Sequence, residues 1–151
     1  MTSQISRYRT TAAGPQAIWD VLADFGALSQ WADSVDHSSV LEHGHDGAPI
    51  GTARRVQIGR NTLVERITEF APPTDLAYDI TGLPAWLGRV GNRWKLTPTA
   101  TGGTVVALTS TVDIGTRGIQ HAIERVVCRV LAKQSDAMLA GLADRAENHH
   151  G

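Results

Sequence analysis

Apolar and polar residues alternate in three distinct rhythms along the chain. Ile5 to Thr11 reads as a first strand. Beyond it, Ile18, Val21, Leu22 and Phe25 recur at three- and four-residue steps, the spacing of a helix with one buried stripe. Gly14-Pro15 opens that helix, because a proline at the first helical position lacks an N–H that would have had no partner there. Gly26 is the expected stop, and Leu28 to Trp31 has room for a second short helical turn before the chain extends near Val35.

From His37 onward the rhythm is that of strands separated by turn chemistry. The runs are His37 to Glu42, Thr52 to Ile58, Thr62 to Phe70, Leu76 to Thr81, Val90 to Thr97 and Thr104 to Ile114. Between them fall Gly44-His45-Asp46-Gly47, Gly59-Arg60-Asn61 and Pro72-Pro73-Thr74-Asp75. Each break is short enough for a hairpin, so six strands form an antiparallel meander and the first strand makes seven.

The last third changes again. Ile119, Ile123, Val126, Val127, Val130, Leu131, Met138 and Leu142 recur at helical spacing with no turn signal before Asn148. A helix of about 28 residues is ~42 Å long and needs a broad surface to lie on. The implied fold is α+β: a seven-stranded antiparallel sheet wrapped around a long C-terminal helix, with two short helices after strand 1. Residues 1–151 read as one domain. One helix cannot fill the concave face of a twisted sheet, so a gap between the two is the expected ligand cavity.

Strand parity locates the wall of that gap. Arg54 shares a face with Val56 and Ile58, so it is expected inward and Arg55 outward. Glu65 shares a face with Leu63 and Ile67, but Val64 and Phe70 make the opposite face apolar too, and parity alone does not decide. Tyr78 and Ile80 oppose Asp79. Asn92 and Trp94 alternate with Arg93 and Lys95, while Leu108 and Ser110 share the face of Val112. On the long helix, Val127, Val130, Leu131, Gln134 and Met138 form the stripe that would meet the cavity. Leu83, Trp86 and Leu87 are large apolar residues in a hairpin loop, and they read as a lid over the mouth.

Composition narrows the partners. With 14 Lys+Arg against 15 Asp+Glu, the charge is balanced, and no basic excess marks a nucleic-acid binder. The lone Cys128, the absence of an apolar leader and the absence of a membrane span lead to a cytoplasmic expectation. No serine-hydrolase elbow, dinucleotide fingerprint or phosphate loop occurs. His43-x-His45-Asp46 is the one cluster of metal-ligating residue types, and it reads as a solvated turn, so neither metal nor cofactor is expected.

Gly14-Pro15-x-x-Ile18-Trp19-x-Val21-Leu22-Ala23-Asp24, Trp31-Ala32, Gly51-Thr52-x-Arg54-Arg55-Val56, Glu65-Arg66-Ile67, Pro72-Pro73-x-x-Leu76-x-Tyr78 and Gly103-Thr104-x-Val106 together resemble the START/Bet v 1-like helix-grip (SRPBCC) superfamily. The resemblance is strongest to its bacterial polyketide cyclase/dehydrase-like branch. It implies a helix-grip fold and a cavity for a hydrophobic or amphipathic small molecule such as a lipid or polyketide. By analogy with the plant abscisic-acid receptor branch, it also implies a Glu65 that faces the cavity. The binding-site expectation is Arg54, Val56, Ile58, Glu65, Ile67, Tyr78, Ile80, Trp86, Asn92, Trp94, Leu108, Ser110, Val127, Val130, Leu131 and Gln134. If the protein is instead an aromatase/cyclase, Arg54 would polarise a carbonyl and Glu65 or Tyr78 would move the proton. A ligand-dependent regulatory protein is the third reading, and the sequence names neither the ligand nor an oligomeric state.

Overall fold

In a computed structural model the protein is described over residues 2–83, 87–113 and 120–148, with backbone alone at residues 2 and 120–128. Strand β1 (Thr2–Thr11) leads into helix α1 (Pro15–Ala23), a 3₁₀ segment (Phe25–Gln30), β2 (His37–Glu42), β3 (Ala53–Ile58), β4 (Asn61–Ala71), β5 (Asp75–Thr81), β6 (Val90–Pro98), β7 (Thr104–Asp113) and helix α2 (Gln120–Asn148). The seven strands form one antiparallel sheet in the order β1-β7-β6-β5-β4-β3-β2. All the meander's neighbours are consecutive in sequence. β1 is added beside β7, leaving β1 and β2 as the two edges.

Several boundaries differ from the sequence pattern for local reasons. α1 ends at Ala23 with Asp24 as its cap, short of Gly26, and the chain continues directly into the 3₁₀ segment. That segment begins at Phe25 because its side chain is needed in the core, where it is 4% exposed. β1 starts at Thr2, since ladder pairing with Asp113 extends it beyond its apolar residues.

The inner faces of the strands follow period-two alternation. Arg54, Val56, Leu63, Glu65, Ile67, Tyr78, Trp94, Leu96, Val106, Leu108, Ser110 and Val112 are buried, while Arg55, Arg66, Arg93 and Lys95 are exposed. Three edge-to-face aromatic pairs pack this concave surface: Trp19 with Phe70, Phe25 with Tyr78, and Trp31 with Trp94, at centroid separations of 5.1, 5.6 and 6.0 Å. They close the part of the concavity nearest α1 and the 3₁₀ segment.

Helix α2 is held most firmly through its C-terminal half. Met138, Leu139, Leu142, Ala143 and Ala146 are buried, and Gly141 lies against the backbone of Trp31. A side-chain methyl at Gly141 would sit 2.3 Å from the Trp31 carbonyl oxygen, so only glycine lets the helix come this close. Arg7 of β1 fixes the same helix by a forked pair with Asp136, Nε and Nη2 donating at 2.9 and 2.7 Å. Further toward the N-terminus, Val130 is 60% exposed and Leu131 half-buried. No helix among the described residues is long and apolar enough to cross a membrane.

Candidate functional site

The gap left between the sheet and this part of α2 is a cavity of about 200 Å³. Its sheet wall comes from β3 to β7 through Val56, Ile58, Leu63, Glu65, Ile80, Val90, Asn92, Leu108 and Ser110. Val130, Leu131, Gln134, Ser135 and Met138 of α2 supply the opposite wall, and Leu28, Val35 and Leu83 complete the lining. Larger hollows of about 300 and 610 Å³ lie along the outer seam of α1, the 3₁₀ segment and α2. Those are clefts rimmed by Asp20, Asp24, Asp33, Asp144 and Arg145, and they share no lining residue with the interior cavity.

Ten expected site residues line the interior cavity: Val56, Ile58, Glu65, Ile80, Asn92, Leu108, Ser110, Val130, Leu131 and Gln134. Arg54, Ile67, Tyr78 and Trp94 are buried beside it without forming its wall. Trp94 packs on Trp31 as part of the aromatic plug, and Tyr78 stands edge-on to Phe25. Trp86 and the side chain of Val127 lie outside the described residues. Leu83 and Leu87, which flank Trp86, are half-buried against the small apolar cluster of Val90 and Val112. Met138, expected on the helix stripe facing the cavity, is in the wall, and Leu28, Val35, Leu63, Val90 and Ser135 complete it without having been among the expected site residues. Leu63 and Val90 follow by parity once Glu65 and Asn92 point inward, and Ser135 follows Leu131 by one helical turn. Leu28 lies in the short 3₁₀ segment and Val35 in irregular backbone, both too short to carry a period that would betray them.

The polar groups form two connected sets. Register places Arg54 directly opposite Glu65 on adjacent strands, with the side chains 4% and 7% exposed. The Arg54 Nε donates to Glu65 Oε1 at 2.8 Å, and Nη2 lies 2.7 Å from the same oxygen. Nη1 donates to the Phe25 carbonyl at 2.9 Å. The guanidinium carbon rests 3.8 Å from the Phe25 ring centroid and 4.8 Å from that of Tyr78. Two buried charges are thus paired, hydrogen-bonded and stacked, which is the condition for burying them at all. Glu65 stands between this assembly and the cavity.

The second set runs across β5, β6 and β7. Ser110 Oγ donates to Asn92 Oδ1 at 2.6 Å, and Asn92 Nδ2 donates to the Tyr78 hydroxyl at 3.2 Å. The Trp94 indole N–H reaches the same hydroxyl at 3.3 Å. Burial, reinforced by the Glu65 charge, raises the Tyr78 pKa above its ordinary value, with Arg54 opposing in part. The phenol therefore stays protonated at neutral pH. Among the described residues every buried side-chain polar atom has a partner, and no group of His, Cys, Asp or Glu is arranged to hold a metal ion.

An antiparallel sheet gripping a long C-terminal helix over an internal cavity is the helix-grip fold, which the chain shares with START-type structures. The family model described as "Polyketide cyclase / dehydrase and lipid transport" matches residues 2–147, and the chain belongs to that family. The Zhui aromatase/cyclase from Streptomyces sp. R1128 superposes with a TM-score of 0.83 at 19% identity, over 100% of this chain and 97% of that one. A START superfamily protein from Mycobacterium smegmatis gives 0.77 at 16% identity, over 96% and 97%. The di-domain aromatase/cyclase StfQ of the steffimycin pathway gives 0.82 at 17% identity, and there the match covers 100% of this chain and 52% of the other. No curated protein sequence matches the chain.

Proposed function

We propose that the protein binds, and carries, a hydrophobic or amphipathic small molecule in the cavity between the sheet and α2. The observation that supports this best is the wall itself: an inner space of about 200 Å³ bounded mainly by Val, Leu, Ile and Met, with a few polar groups at fixed places. A volume below the ~300–1,000 Å³ of sites for drug-sized ligands favours a compact ligand. The family's description, which joins polyketide cyclisation and dehydration with lipid transport, supports the same chemical class.

Binding is favoured over turnover because the buried polar groups are committed to one another. Arg54 is locked by Glu65, the Phe25 carbonyl and two rings, and the Tyr78 hydroxyl already accepts two hydrogen bonds. An aromatase/cyclase is the second reading, favoured by the polar strip of Ser110 and Asn92 on the cavity floor with a protonated Tyr78 behind it. In that reading the protonated Tyr78 acts as a positioning residue, accepting from the Asn92 amide and so fixing Asn92 and Ser110 against the substrate.

Native mass spectrometry of freshly purified protein, followed by solvent extraction, tests the first reading. A stoichiometric apolar adduct that is lost in Leu108→Trp supports carriage in this cavity. Turnover of a poly-keto substrate that falls in Tyr78→Phe at unchanged substrate affinity would replace carriage with catalysis. An adduct that persists in Leu108→Trp places the binding elsewhere and overturns the reading.

A further inference from the structure

The polar atoms around the cavity share one property that concerns the ligand. The Ser110 hydroxyl proton goes to Asn92 Oδ1, and the Asn92 amide donates onward to Tyr78. The Gln134 amide donates to Ser34 Oγ at 3.0 Å. The Arg54 donors go to Glu65 and to the Phe25 carbonyl, and Arg54 itself is not part of the wall. These named donors are directed into the protein, and although Ser135 and the second N–H of each amide can still donate, the one charged group on the wall is the acceptor Glu65, with further acceptor oxygens on Asn92, Ser110 and Gln134.

Resting on the binding reading above, we infer that this cavity is an acceptor-lined site that selects a neutral, mainly apolar alcohol or phenol and rejects the matching carboxylate. A ligand hydroxyl facing Glu65 makes a charge-assisted bond, stronger than a neutral one. A ligand carboxylate brings a second negative charge to the same place and loses its hydration with no cationic donor on the wall to replace it. An ammonium also gives up its hydration shell here, and Glu65, whose charge is shared with Arg54, offsets that loss only in part. The apolar remainder of the wall, Val56, Ile58 and Leu108 among it, takes the hydrocarbon body.

The matched probes 2-naphthol and 2-naphthoate, titrated by fluorescence at neutral pH, separate these outcomes. The expected result is that 2-naphthol binds at least about tenfold more tightly, the effect of one hydrogen bond to a charged group. Leu108→Trp should abolish that binding, and Glu65→Gln should narrow the ratio by admitting naphthoate. Because Glu65→Gln weakens a buried pair, Ser110→Ala is the parallel variant: a loss confined to naphthol supports the inference, and equal losses for both probes overturn it. Equal affinities, or a preference for naphthoate, with Leu108→Trp still blocking both, would refute acceptor selection and leave the cavity as a binding site. Failure of either probe to bind, or binding indifferent to Leu108→Trp, would remove the binding reading together with the inference.

Discussion

Arg54 and Glu65 allow a quantitative test of how the inner wall is held. Replacing Glu65 with leucine leaves a guanidinium whose side chain is 4% exposed without its counter-charge. Breaking a buried pair from one side costs about 3–5 kcal/mol, because the remaining charge keeps its desolvation penalty. For a domain of this size, about 2–4 °C per kcal/mol turns that into a Tm fall of roughly 6–20 °C. Arg54→Met should cost a similar amount, as it strands the Glu65 carboxylate and the Phe25 carbonyl together. The double variant Arg54→Met/Glu65→Leu removes both charges. Its residual loss should be about 1–3 kcal/mol, from the orphaned Phe25 carbonyl and the lost stacking on Phe25 and Tyr78. Urea unfolding of the four proteins, compared by midpoint at constant slope, gives the coupling directly, with at least about 3 kcal/mol expected. A Glu65→Leu loss below about 1 kcal/mol, or a double variant equal to the sum of the singles, would show that the pair is solvated and that the account of the wall is wrong.

Three further outcomes follow from other contacts. Gly141→Ala should destabilise strongly and loosen α2 from the 3₁₀ segment, since its methyl would meet the Trp31 carbonyl at 2.3 Å; an unfolding midpoint within experimental error of wild type would refute the close approach. The Tyr78 pKa is raised by burial in the folded state, so its contribution to stability is full below about pH 10 and is lost as pH rises from the unfolded value through the folded one. In a Tyr8→Phe background, phenolate absorbance should therefore appear late and together with alkaline unfolding; a reversible ionisation with the fold intact would contradict the burial of Tyr78. Asp136 is held below the ordinary carboxylate value by its hydrogen bond to Arg7. Its stabilising effect is thus present above about pH 4 and fades as pH falls through the lowered folded value. Comparing Asp136→Asn with wild type by thermal melts from neutral to acid pH should show the gap closing at the acid end and at high salt, and a gap that widened on acidification would reverse the assignment.

The sheet was legible because its signals are local. Period-two alternation placed Arg54 inward and Arg55 outward, and it put Trp94 on the opposite face from Arg93 and Lys95. Parity failed at Glu65, where both faces of β4 looked half apolar, and the deciding fact is non-local: Arg54 stands directly across the ladder. Separating cavity wall from core was also beyond a one-dimensional pattern. Tyr78 and Ile80 share a face of β5, but Phe25 closes over Tyr78 while Ile80 stays on the open side. Trp94 and Asn92 divide in the same way, because Trp31, far away in sequence, covers only the first. The aromatic plug thus reflects the way α1 and the 3₁₀ segment dock, which no single strand encodes.

The unequal seating of α2 bears on how a molecule would enter and leave. Residues 138–146 are packed against β1, α1 and Trp31, whereas Val130 and Leu131, one or two turns beyond the Arg7–Asp136 fork, roof the cavity with the first exposed and the second half-buried. Amides in the clamped half should exchange their hydrogens only through events approaching global unfolding, while those around Val130 exchange through smaller openings. Ligand residence time would then be set by the frequency of that local opening, and Arg7 and Gly141, which touch no ligand, would tune it as the fulcrum of a lever.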